Sequence, residues 1–213
     1  MMPDVCRSEA HRILLVEGKT DCHVVLAIQQ HYGLQTHFGI FACGSDDEVL
    51  KRLNALIPAP TEKRPERIGI VVDVDPATIA DRWHQITDRL RNHGYGCPAV
   101  PDANGTVIAG HDDFPAIGVW LMPNNRDGGS LEDLLIQMAD PNSIDFAREA
   151  VTGAQQRNAA TFRAVHLSKA VLHTFLAWQD EPGRPPGLAI TAAILRPTVP
   201  GAVAFAGGLQ RLF

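Results

Sequence analysis

Short apolar runs alternate along much of the chain with segments whose apolar residues recur at helical spacing. Residues 13–16, 68–72 and 117–122 form the clearest runs, and polar residues follow each of them. Runs of this length between turn residues are typical of buried strands. Strands that alternate with helices predict an α/β fold with a mostly parallel central sheet flanked by helices.

The same pattern predicts the other elements. We expect strands at 12–16, 37–43, 68–72 and 117–122, a hairpin at 99–109, and helices at 20–31, from 45, at 76–93, from 130 and over much of 144–179. The apolar residues 188–213 are expected to pack back on the core. The sequence thus predicts one domain over residues 1–213. Its core covers about 12–140, and a mainly helical C-terminal extension covers about 141–213.

Carboxylates stand where two predicted strands end. Glu17 follows the first strand and Asp21 lies in the next helical turn, while Asp73 and Asp75 follow the strand at 68–72. Ligand sites of parallel sheets lie at the carboxyl ends of the strands, so these acids are expected to converge. Because an unpaired buried charge costs several kcal/mol, a hard cation with oxygen ligands would relieve their repulsion. The pattern predicts a Mg²⁺ or Mn²⁺ site that serves phosphoryl transfer.

Each acid also has a structural interpretation. Asp21 is placed to cap the helix that starts beside it, and Asp75 before Pro76 is placed in the same way. Two strand-end pairs together favour the metal site. The run Gly18-Lys19-Thr20 resembles the end of a phosphate-binding P-loop. That motif requires a glycine at position 13, where this chain has isoleucine, so the sequence excludes ATP binding of that type.

Two later segments carry further candidates. Ser130 and Asp133 fit a capping box, and Glu132 between them either favours the helix dipole or faces the site. Asn124 and Asn125 orient metal-bound water, contact phosphate or simply form the loop. His166, Lys169 and His173 share a helical face, which offers a cation to a developing phosphorane or is a solvated polar face. The run 111–113 is expected to be a loop.

Composition limits the function classes. Among 213 residues the net charge is −5, so contact with nucleic acid needs a local basic patch or metal ions. The four cysteines show no C-x-x-C spacing, which predicts free thiols in a reducing compartment. No apolar run approaches the ~18 residues of a membrane span, and the first seven residues lack the apolar core of a signal peptide. We therefore expect a cytoplasmic protein without membrane contact.

The spacing Glu17-x-x-x-Asp21 with Asp73-x-Asp75 resembles the Toprim domain of topoisomerases, bacterial primases and OLD-family nucleases. The segments 122–133 and 166–178 are similar to parts of small bacterial Toprim-like proteins. The resemblance implies that both acid pairs bind metal, that Glu132 is a further acid, and that Lys169 is a transition-state cation. It also implies that Glu17, Asp73, Asp75 and Lys169 are catalytic.

Two hypotheses of different classes follow. In the first, the protein is a Mg²⁺- or Mn²⁺-dependent nuclease with DNA or RNA as its substrate, or a related enzyme of phosphodiester or phosphoryl transfer. A small-molecule phosphotransferase is possible on the same acids, but nothing in the sequence selects it. In the second, the protein is a non-catalytic Toprim-like subunit with a regulatory or interaction role. The ATPase domain of larger OLD-type proteins is missing from this sequence, which indicates either autonomous action or an ATPase partner in trans. Neither hypothesis fixes the oligomeric state.

Overall fold

A five-stranded sheet forms the centre of the computed structural model, which describes residues 4–74 and 77–213. The strands are β1 (Arg12–Val16), β2 (Gly39–Ala42), β3 (Arg67–Val72), β4 (Thr106–Ile108) and β5 (Ala116–Leu121). Their order is β2-β1-β3-β5-β4, and only β4 runs antiparallel to its neighbour. The predicted α/β class with a mostly parallel sheet is confirmed.

Eight α-helices surround the sheet in the described part of the chain. They are α1 (Lys19–Tyr32), α2 (Asp46–Leu56), α3 (Ile79–Arg91), α4 (Leu131–Gln137), α5 (Pro141–Gln156), α6 (Leu167–Ala177), α7 (Pro186–Thr191) and α8 (Pro200–Leu212). Local sequence sets their ends. Gly33 ends α1 in the left-handed conformation, which costs glycine no steric penalty. Ser45 caps α2 by accepting a hydrogen bond from the Glu48 amide at 3.3 Å.

Alternating side chains of each strand face two separate cores. Ile13 and Leu15 pack with apolar residues of α2 and α3 on one face of the sheet. Leu14 and Val16 point to the other face, which α1 and the helices from α4 onward cover. Because both faces are buried, the strands are apolar throughout, and this is why the continuous runs predicted them.

Helix α8 approaches the middle of the sheet unusually closely at a pair of glycines. Gly69 of β3 and Gly118 of β5 are directly opposite each other in the strand register. A Cβ atom on Gly118 would lie 2.3 Å from Leu212 Cδ2, and one on Gly69 would lie 2.9 Å from the same atom. The missing side chains therefore create the space that Leu212 occupies.

The predicted hairpin at 99–109 is wrong. Asn104 and Gly105 do form a turn, with the Gly105 amide donating to the Asp102 carbonyl at 2.9 Å. The segment before that turn forms no strand, and β4 pairs instead with β5. Pro98 and Pro101 explain the difference, since proline has no amide hydrogen to donate to a ladder. Helix α3 also starts later than predicted, after a Thr78 cap that accepts from the Asp81 amide at 3.1 Å.

The prediction of four free thiols is wrong for one pair. Cys6 and Cys22 form a disulfide that joins the segment before β1 to the first turn of α1, whereas Cys43 and Cys97 are free. The Ala42 amide donates to the Cys6 carbonyl at 2.9 Å, so this segment lies along β2 and brings Cys6 to α1. Sequence spacing alone does not reveal that placement. Within residues 4–74 and 77–213, no helix has the length and apolarity to cross a membrane.

A carboxylate cluster at the carboxyl edge of the sheet

The candidate site lies where the strand order reverses. From β1 the chain moves to β2 on one side and then crosses to β3 on the other side. The helices on either side diverge at such a point and leave a crevice outside the carboxyl ends of the two strands. Glu17 follows β1 and Asp73 follows β3, so both acids stand at this crevice.

Hydrogen bonds join the two strand ends to helix α4. Glu17 Oε1 accepts from the Asp73 amide at 2.7 Å. Asp73 Oδ1 in turn accepts from the Leu131 amide, the first of α4, at 2.9 Å. Amides of a helix N-terminus favour negative charge, so α4 supports the carboxylate that faces it. These contacts fix the orientation of one oxygen of each acid.

Asp21 caps helix α1, as its structural interpretation predicted. Its Oδ2 accepts from the Gly18 amide at 3.0 Å. The side chain is nevertheless near the other acids, because its charge raises the pKa of both Glu17 and Asp73. Capping uses one oxygen and does not exclude a second role for the other, so metal binding by Asp21 stays a prediction.

The three acids are protonated far more readily than ordinary carboxylic acids. The pKa of Asp73 is raised to about 8, mainly by burial and also by the charges of Glu17, Asp21 and Glu132, while the hydrogen bond from the Leu131 amide opposes the rise. Burial likewise raises the pKa of Glu17 to about 7 and that of Asp21 to about 6. Concentrated carboxylates with raised pKa values characterise functional sites.

Glu132 and Lys169 border this cluster. Glu132 lies in the first turn of α4, and its charge raises the pKa of both Asp21 and Asp73. Lys169 lies in the first turn of α6 with an exposed side chain, and its charge lowers the pKa of Asp21. The structure thus places Glu132 and Lys169 within electrostatic range of the cluster formed by Glu17, Asp21 and Asp73. Asp75 lies outside the described residues.

Other candidates have local roles instead. Asn125 is buried, and its Oδ1 accepts from the Leu121 amide at 2.7 Å. Asn124 Oδ1 accepts from the amides of Arg126 and Asp127. His166 and His173 are exposed. Lys19 forms an exposed ion pair with Asp4 at 3.1 Å. The asparagines therefore shape the loop after β5, as the simpler interpretation of them predicted.

A partly buried ion pair beside Glu17 was not predicted from the sequence. Arg82 of α3 is only 6% exposed, and its Nη2 lies 2.8 Å from Asp46 Oδ2 at the start of α2. The charge of Asp46 raises the pKa of Glu17, and that of Arg82 lowers it. Arg82 lies three residues after Ile79 and four before Ile86, on the apolar face of α3. A charged residue among apolar residues on one helix face was the sequence signal that could have indicated a buried ion pair.

The donor chemistry of the cluster fits a hard divalent cation. Each of the three acids uses one oxygen on a backbone amide, and all the ligating groups at the edge are carboxylates, which suit Mg²⁺ or Mn²⁺. In residues 4–74 and 77–213, however, no three acidic, histidine or cysteine side chains are grouped closely enough to hold a metal ion as they stand. The acids therefore supply the right atoms without a preformed cage.

Fold and site together define an α/β protein with an acidic cluster at the switch point of its sheet. A family model described as "Protein of unknown function (DUF3226)" matches residues 11–213, so the chain belongs to that family. Searches of curated proteins and of solved structures each gave no match.

Proposed function

We propose that the protein is a divalent-metal-dependent phosphodiesterase of Toprim type that cleaves nucleic acid. The supporting observation is the convergence of Glu17, Asp21 and Asp73 at one crevice, with pKa values raised by burial and by the charges of neighbouring carboxylates. Holding such charges together without a counterion is costly, and a bound cation would stabilise the ionised forms.

In this proposal Glu17, Asp21, Asp73, Asp75 and Glu132 hold Mg²⁺ or Mn²⁺. When bound, the ion would supply Lewis-acid polarisation of a phosphoryl oxygen. The Leu131 and Asp73 amides keep the Asp73 and Glu17 carboxylates oriented toward the crevice. Lys169, on the edge of the cluster, provides positive charge for the phosphate oxygens as negative charge develops on them.

A nucleic-acid substrate and a cytoplasmic location belong to the same proposal. Net charge −5 gives no general attraction to polyanions, so metal and local cations such as Lys169 must supply it. An ATPase acting in trans and self-association remain compatible with it. The Cys6–Cys22 disulfide is the observation that opposes the cytoplasmic part of this proposal, because such bonds are rare in reducing compartments.

The direct test is cleavage of supercoiled plasmid and of single-stranded nucleic acid with Mg²⁺ or Mn²⁺. We expect nicked or linear product that disappears with chelator and in Asp73→Ala. Asp145→Ala, which removes an exposed acid of α5 away from the crevice, is the matched control and should cleave like wild type. Absence of cleavage with either metal, or cleavage that persists in Asp73→Ala, would exclude the proposal.

The alternative is a non-catalytic Toprim-like subunit with a regulatory or interaction role. It is favoured by the carboxylate–amide hydrogen bonds, since Glu17, Asp21 and Asp73 each already accept a hydrogen bond from a backbone amide. Calorimetric titration with Mg²⁺ and Mn²⁺ separates the options when it is combined with thermal melts in chelator. Metal binding without cleavage supports the alternative, and no binding with unchanged stability leaves the acids a purely structural role.

A further inference from the structure

A hydrogen-bonded serine connects the C-terminal helices to the acidic cluster. Ser168 Oγ, in the first turn of α6, donates to Asp133 Oδ1 at 2.5 Å. The other oxygen of Asp133 accepts from the Ser130 amide at 2.8 Å and from Ser130 Oγ at 3.1 Å. Asp133 therefore caps α4 with one oxygen and holds α6 with the other.

Both partners of this hydrogen bond are close in sequence to residues of the candidate site. Lys169 follows Ser168, and Leu131, two residues before Asp133, donates to Asp73. Helices α4 and α6 pack against each other. The Ser168–Asp133 bond thus fixes the first turn of α6 relative to the same helix end that supports Asp73.

Lys169 itself has no such anchor among the described residues. Its side chain is exposed, and it forms no ion pair within residues 4–74 and 77–213. A lysine side chain is long and flexible, so its mean position depends on where its backbone is held. Ser168, the adjacent residue, is half-buried, and its hydrogen bond to Asp133 fixes the backbone next to Lys169.

We propose that Ser168 is a positioning residue, which through Asp133 holds α6 so that Lys169 stands over the carboxylate cluster. The inference rests on the proposed function, because it assigns Ser168 an effect on phosphodiester cleavage that acts through Lys169. The proposal gives the C-terminal extension a role in the site. The other residues of the site all precede α5 in the sequence.

The test compares Ser168→Ala, Lys169→Ala and the double variant in the plasmid assay with saturating metal. A displacement of about 1 Å in a catalytic group can cost up to roughly 100-fold in rate, so we expect kcat to fall at least tenfold in Ser168→Ala with little change in KM. In the Lys169→Ala background the same change should have almost no further effect, because the group that Ser168 positions is gone. Ser168→Thr, which retains the hydroxyl, should recover most of the rate.

Ser143→Ala is the matched control. Ser143 Oγ donates to Asp140 Oδ1 at 2.9 Å at the start of α5, so the change removes the same kind of bond away from the crevice. It should leave kcat unchanged, and melting temperatures of all variants identify any general loss of folding. Equal kcat in Ser168→Ala and wild type, or additive losses in the double variant, would overturn the inference while the proposed function stands. Wild-type protein that cleaves nothing would remove both.

Discussion

Replacing Asp73 by asparagine tests whether the fold confines negative charge at the crevice. Asparagine keeps the oxygen that accepts from the Leu131 amide and removes only the ionisable group. In metal-free buffer, the variant should be more stable than wild type at alkaline pH. At pH 5 the excess stability of the variant should be much smaller, because pH 5 lies only a little above the ordinary pKa of Asp73, at which the loss of wild-type stability begins.

The direction in which wild-type stability changes with pH follows from proton binding. The pKa of Asp73 is raised from 3.8 to about 8, so between those values the native state holds a proton that the unfolded chain has released. Wild-type stability therefore falls as pH rises from about 4 to about 8. At about 1.4 kcal/mol per pKa unit the upper bound is roughly 6 kcal/mol. Because Glu17 and Asp21 titrate with Asp73 and solvent reaches the site, we expect about 2 kcal/mol.

Urea unfolding between pH 5 and pH 9 in chelator measures this difference. Asp145→Asn on the exposed face of α5 is the control, and its offset from wild type should not vary with pH. Adding Mg²⁺ at pH 8 should stabilise wild type and narrow its gap to Asp73→Asn, since the ion replaces protons as the counter-charge. A constant offset of Asp73→Asn at every pH would refute the reasoning.

Three further outcomes are expected from equilibrium unfolding. Gly118→Ala should lower the free energy of unfolding by about 1–3 kcal/mol, because the added Cβ would overpack the contact with α8. Gly96→Ala is the control and should lose far less stability, because its Cβ would meet nothing within 4 Å. Equal losses in the two variants would contradict the close approach of α8. Under non-reducing conditions, Cys22→Ser should lower the free energy of unfolding by about 3 kcal/mol, because it removes a disulfide that joins residues 16 apart. Adding reductant should abolish the stability difference between this variant and wild type. Cys97→Ser should show no such reductant dependence. Arg82→Ala should lower the free energy of unfolding by about 1–3 kcal/mol, because the buried guanidinium is lost while water can still solvate the 35% exposed Asp46 side chain. A loss below about 1 kcal/mol would show that the pair contributes little to stability.

The strands and the edge of the sheet were predictable because burial on both faces leaves a continuous apolar run. Glu17 and Asp73 were predictable for the same reason, since an acid that follows such a run lies at the carboxyl edge of a parallel sheet. The Ser168–Asp133 bond was not, because it joins residues 35 apart whose helices meet only in the packed molecule. The Cys6–Cys22 pair was missed likewise, since the extended segment that carries Cys6 has no periodic pattern of its own.

The hydrogen bonds around Asp73 also bear on how the molecule assembles. Its amide bonds to a side chain 56 residues earlier, and its carboxylate bonds to an amide 58 residues later. A chain that has formed only local structure has none of this proximity, so its acids remain apart and fully hydrated. Contacts so distant in sequence form late and slowly. A cation that needs several of these acids would recognise only molecules whose sheet is complete, and its binding would measure cooperative folding of the whole chain.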